Sequence, residues 1–136
     1  MTRLVTPRVR AVARDIFGCA TLTGAEIENQ PTGADSSTCH GSHWDQRLFM
    51  NEFMAPVSSH GPIYSPLSLA LMEDSGWYRS NYSNSAPLLW GRGQGCDFVL
   101  QKPEVGWSGS GDQYMCARIL ETVLSDPESV EILLWG

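Results

Sequence analysis

Between Thr6 and Gly18 the chain carries its most restrictive local pattern. Thr6-Pro7 offers an N-cap followed by proline at the first helical position, where the missing N–H has no partner to lose. Gly18 stands where a glycine cap closes a helix. Val5, Val9, Val12 and Ile16 recur at helical spacing with arginines between them. The pattern predicts a surface helix from about Pro7 to Phe17, and it accounts for the densest basic stretch, Arg3, Arg8, Arg10 and Arg14, without a transit peptide.

Elsewhere the elements are short. Gly24, Pro31, Gly33, Ser36, Ser37 and Gly41 punctuate the stretch from Thr21 to Ser42, which reads as an exposed loop with a short extended piece near Ala25 to Glu28. Trp44 to Phe53 reads either as a short helix or as irregular backbone: Trp44, Leu48 and Phe49 share a face, but no convincing cap frames them. A second helix is expected over Pro66 to Ser75, capped by Ser65, striped with Leu67, Ala70 and Leu71, and ended by Gly76. Trp77 to Tyr82 and Leu88 to Trp90 read as packed but irregular aromatic anchors. After Gln101 a Pro- and Gly-rich run precedes two further expected helices, from about Gln113 to Leu124 and from Asp126-Pro127 to Leu134.

Composition narrows the function. A chain of 136 residues suffices for one domain with a modest core. Nine basic residues and a net charge of -6 argue against a nucleic-acid partner, which requires clustered Lys and Arg. No apolar run approaches the roughly 20 residues of a membrane span, and no signal-like region opens the chain, so a secretory signal would lie upstream. Four cysteines allow two bridges in three connectivities and do not by themselves fix the redox compartment.

Chemistry concentrates in Gly41-Ser42-His43-Trp44-Asp45 and Asn51-Glu52-Phe53-Met54-Ala55-Pro56. Neutral imidazole suits zinc, but a catalytic zinc site takes three protein ligands and keeps a fourth position for water, so one histidine is not a site. Taken alone, Met54 reads as a core methionine at a turn. A separate zinc site from Cys39, His40, His43 and His60 is a poor fit, because adjacent Cys39-His40 makes a bad tetrahedral pair and the spacing matches no common finger.

The two segments together resemble the C-terminal half of the leishmanolysin family of metzincin-like zinc endopeptidases. There the third zinc histidine, set apart from the His-Glu-x-x-His helix by a long insertion, sits in a Gly/Ser-His-Trp context and precedes a Met-turn of the form Asn/Asp-Glu-x-Met. The likeness continues through Leu67 to Tyr78, Asn81-Tyr82-Ser83 and Trp90 to Cys96, and upstream over Val9 to Cys19.

The resemblance implies a zinc cofactor with His43 as ligand, Met54 as the apolar floor beneath the metal, and a disulfide between Cys19 and Cys96. His40 and His60 are then surface residues, and Cys39 and Cys116, which match no family position, are read as free. It implies an α+β metzincin-like catalytic domain in the parent protein, of which this stretch is mostly α-helical and irregular. Residues 1–101 are expected to be the C-terminal part of that domain, and residues 102–136 a divergent tail or the product of an imperfect gene model.

The implied activity is zinc-dependent cleavage of polypeptides, in an extracellular or membrane-associated setting. No His-Glu-x-x-His occurs here, and Glu52 and Glu73 read as surface or capping carboxylates. This chain alone is therefore expected to supply one metal ligand, no catalytic base and no peptidase activity. The alternative is a non-catalytic binding or adhesion module, held by Cys19 with Cys96, that uses Trp77, Tyr78 and Trp90 as contact residues. An inert gene-model relic is the third reading.

Overall fold

The computed structural model describes residues 2–28, 41–57 and 60–102. The chain divides into two compact units, Met1–Cys96 and Asp97–Gly136. The described residues form a small α+β arrangement. Strand β1 (Thr2–Leu4) is followed by α1 (Pro7–Phe17), β2 (Ala25–Ile27), the one-turn α2 (Gln46–Phe49), α3 (Pro66–Asp74), a 3-10 turn at Tyr82–Asn84, and α4 (Gly95–Leu100). The helices expected beyond Gln113 lie outside the described residues.

Helix α1 has the expected bounds, and Gly18 closes it in the left-handed conformation, φ 67°, its N–H bonded to the Arg14 carbonyl. Its start is capped differently. The Thr6 side chain makes no capping bond. Asp74, at the end of α3, accepts instead from the backbone N–H groups of Arg8 at 2.9 Å and Val9 at 3.1 Å. A carboxylate at a helix N-terminus satisfies donors that have no intrahelical partner. This one also ties α1 to α3.

Helix α1 buries Val9, Ala13, Ile16 and Phe17. Val5, expected on that face, is 57% exposed, so the buried stripe is turned toward Ala13 and Phe17. An isolated 11-residue helix is marginal in water. Burial at about 1.5–3 kcal/mol for each large apolar side chain is what holds it.

Phe17 meets Phe49 with ring centroids 5.6 Å apart, and Phe49 meets Trp44 at 5.7 Å. Leu48, Leu67, Ala70 and Leu88 complete the core. On α3 it is Ser68, not Leu71, that faces inward with Leu67 and Ala70. Ser65 caps that helix as expected, accepting from the Leu67 N–H. Asp45 caps α2 by accepting from the Arg47 N–H, a frame the sequence reading lacked.

The stretch after Thr21 is not an exposed loop throughout, for Leu22, Ala25 and Glu26 are buried. Strand β2 pairs antiparallel with β1, with Arg3 opposite Glu26. The Glu26 carboxylate receives the Arg3 guanidinium at 2.7 Å and that of Arg47 at 3.4 Å, so a buried charge is matched from two sides. Trp77 and Tyr78 are 85% and 60% exposed and are not packed anchors. Trp90 is half-buried, its indole donating to the Arg47 carbonyl.

Candidate metal centre

Strand β2 organises the segment that carries His43. Asp45 N–H donates to the Glu26 carbonyl at 3.1 Å, Glu28 N–H donates to the His43 carbonyl at 3.0 Å, and Ile27 bridges antiparallel to Trp44. Trp44 N–H in turn donates to the Met54 carbonyl at 3.0 Å. The backbone thus fixes His43 against β2 on one side and joins its neighbour to the Met54 turn on the other.

The imidazole of His43 is about half exposed, and its Nδ1 lies 2.6 Å from Glu28 Oε1. The hydrogen bond to His43 is the main reason that the Glu28 carboxyl sits below the usual carboxylate range, against the upward push of its burial. A carboxylate only accepts, so the proton of this bond is on Nδ1. In a neutral ring that leaves the lone pair on Nε2.

Met54 is half-buried at a turn built around Glu52. Read from sequence as a surface or capping carboxylate, Glu52 is 2% exposed. Its Oε2 accepts from the Met54 N–H at 2.6 Å. Its Oε1 accepts from the Ser68 hydroxyl at 2.7 Å, the Ser65 hydroxyl at 2.9 Å and the Ser65 N–H at 3.4 Å. The Trp44 indole N–H donates to Ser68 Oγ at 2.9 Å.

One buried carboxylate therefore links the residue after His43, the Met54 turn and α3, with every hydroxyl in the network both donating and accepting. A faint signal existed in the sequence. Ser65 and Ser68 are three apart at the start of an otherwise apolar helix, which asks for a buried polar partner. Nothing local pointed to Glu28 as the partner of His43.

Glu73, by contrast, is a partly exposed carboxylate, bound by Arg8 at 3.3 Å and by the Tyr82 hydroxyl at 2.8 Å. His60 is exposed, and His40, Cys39 and Cys116 lie outside the described residues. A disulfide joins Cys19 to Cys96 across 77 residues and encloses the His43 and Met54 segments.

Among the described residues no three His, Cys, Asp or Glu side chains converge to hold a metal ion. The donor chemistry fits zinc at one position: the His43 imidazole, with Nδ1 held by Glu28, offers Nε2 when the ring is neutral. A three-ligand zinc site with an open position would need two further donors, which the described residues do not bring to His43.

A family model described as leishmanolysin matches residues 1–120. The leishmanolysin-like peptidase of Drosophila melanogaster is 47% identical over 98 residues, 72% of this chain and 14% of that protein. The leishmanolysin-like peptidase of Caenorhabditis elegans is 45% identical over the same length, with the same coverage of each chain. The leishmanolysin of Leishmania donovani is 41% identical over 92 residues, 68% of this chain and 15% of that protein. The chain thus spans only 14–15% of the length of these curated relatives.

Proposed function

The chain belongs to the leishmanolysin family, and from that premise we propose that it is the part of a zinc metalloendopeptidase that supplies the third zinc histidine, His43, and the Met-turn, Met54. The parent is then an α+β metzincin-like peptidase whose His-Glu-x-x-His helix lies outside this chain. The observation that carries the reading is the His43 imidazole, with its Nδ1 2.6 Å from the Glu28 carboxylate and its backbone segment bonded to the Met54 turn.

When bound, zinc supplies Lewis acidity to the scissile carbonyl of a polypeptide and to the attacking water. His43 contributes one neutral nitrogen toward it. Met54, on the turn anchored by Glu52, contributes an apolar floor that keeps the pocket dry and raises the strength of the electrostatic interactions in it. The general base belongs to the His-Glu-x-x-His helix and His43 is a single ligand, so the 136-residue chain alone binds zinc weakly and hydrolyses nothing.

The Cys19–Cys96 bridge supports an oxidising, extracellular or cell-surface setting. No helix among the described residues is long and apolar enough to cross a membrane.

The test is zinc content and casein hydrolysis by the complete peptidase carrying His43→Ala. The reading expects zinc occupancy to fall and hydrolysis to drop by at least about a hundredfold, since one of three ligands is removed. Undiminished zinc and activity would refute it. Exposure of Trp77 and Tyr78 favours a second reading, a non-catalytic binding or adhesion module. Binding of the isolated chain to an extracellular partner, lost in a Trp77→Ala, Tyr78→Ala double variant, would support it.

A further inference from the structure

We propose that Glu28 is the positioning residue of His43, fixing the imidazole proton on Nδ1 so that Nε2 is presented to the metal. This rests on the reading of His43 as a zinc ligand. A carboxylate and a histidine that meet by chance on a surface are held loosely, because two flexible side chains lose entropy for little gain. Here the backbone brackets the pair: Glu28 N–H donates to the His43 carbonyl, and the Glu28 carbonyl accepts from the Gly41 N–H at 3.2 Å. The Glu28 side chain is 14% exposed while the ring it holds is 47% exposed, so the carboxylate is the fixed partner.

Gly41 supplies an independent observation. A Cβ at that position would overlap Cγ, Cδ and Oε1 of Glu28. The glycine two residues before His43 therefore clears the space through which the Glu28 carboxylate reaches Nδ1. That assigns a physical reason to the first residue of Gly41-Ser42-His43-Trp44. A second carboxylate, Asp45, is not available for this task, since it caps α2 through the Arg47 N–H.

The consequence concerns tautomers. A neutral imidazole carries one proton, and the nitrogen that keeps it is set by the hydrogen bond the ring makes. With Nδ1–H committed to Glu28, Nε2 needs no proton rearrangement before it binds a cation. Loss of the carboxylate leaves the proton to distribute over both nitrogens and frees the ring to rotate.

The experiment reads the tautomer directly. Long-range proton–nitrogen NMR spectra of the metal-free 136-residue chain, recorded at about pH 9 where imidazoles are neutral, should show His43 as the Nδ1–H form. Glu28→Ala should shift it toward a mixture containing Nε2–H. Glu28→Gln, whose amide oxygen still accepts, should restore most of the Nδ1–H form, and Gly41→Ala should behave like Glu28→Ala. In the complete peptidase, Glu28→Ala should weaken zinc binding about 10- to 100-fold in a chelator competition.

A Glu28→Ala chain that keeps the wild-type His43 tautomer, with folding verified by the rest of its spectrum, overturns the proposal. If instead the tautomer changes but His43→Ala leaves zinc affinity intact, the ligand reading itself is what fails.

Discussion

Replacing Glu52 by alanine should be among the most damaging single changes in this chain. The carboxylate is buried and accepts four hydrogen bonds, two from backbone N–H groups and two from serine hydroxyls. Hydrogen bonds to a charged group contribute about 1.5–3 kcal/mol each. A simple sum overstates the loss, because the Ser65 and Ser68 hydroxyls can rotate toward other acceptors. The Met54 and Ser65 N–H groups cannot, and each unsatisfied buried donor costs about 1–3 kcal/mol. Together with the cavity left by the side chain, Glu52→Ala should cost about 3–5 kcal/mol.

Against a typical domain stability of about 5–15 kcal/mol, that brings the fold close to unfolding. Glu52→Gln keeps the shape but turns an N–H2 toward donors on one side, and should cost about 1–2 kcal/mol. Urea titrations followed by tryptophan fluorescence measure both, since Trp44 is buried in the same network. A double-mutant cycle with Ser68→Ala should show a coupling of at least about 0.5 kcal/mol. Were Glu52→Ala to unfold within about 1 kcal/mol of the wild type, the carboxylate would not be anchoring the Met54 turn.

Three further expectations concern stability. Burial pushes the Asp74 carboxyl up, but the nearby Thr6 hydroxyl and the Val9 and Arg8 donors outweigh this and hold it below its ordinary value. A depressed carboxyl stabilises fully above its unfolded value and loses that contribution as pH falls below about 4; Asp74→Ala should lower the urea midpoint at neutral pH, by about 1–2 kcal/mol in stability, and flatten this acid limb, whereas parallel pH profiles would refute the assignment.

Burial and the Glu73 carboxylate raise the Tyr82 hydroxyl to about 12. A raised value stabilises below the unfolded pKa of about 10 and is lost as pH climbs through 12; one of the four tyrosines should therefore titrate late in the ultraviolet spectrum, and Glu73→Gln should bring it earlier. The 77-residue separation of Cys19 and Cys96 predicts a loss of about 4 kcal/mol in a Cys19→Ser, Cys96→Ser double variant measured by urea unfolding. A change under about 1 kcal/mol would contradict it.

What the sequence determined by itself is what depends on neighbours along the chain. The bounds of α1, its Gly18 cap, the Ser65 cap of α3 and the extended piece at Ala25 follow from spacing, proline and glycine chemistry and capping side chains, all local in range. The resemblance around His43 and Met54 likewise rests on residue types at a set separation. Tertiary structure decided which partners these residues take.

Asp74 rather than Thr6 caps α1, Ser68 rather than Leu71 turns inward, and Trp77 and Tyr78 stand in solvent. Glu52 reads as a surface carboxylate because a lone Glu in a polar turn usually is one, but donors 13 and 16 positions away surround it. Glu28 lies 15 residues from His43, and no period or cap relates them. Only the pairing of β2 with the His43 segment, and the missing side chain of Gly41, bring that carboxylate to the imidazole.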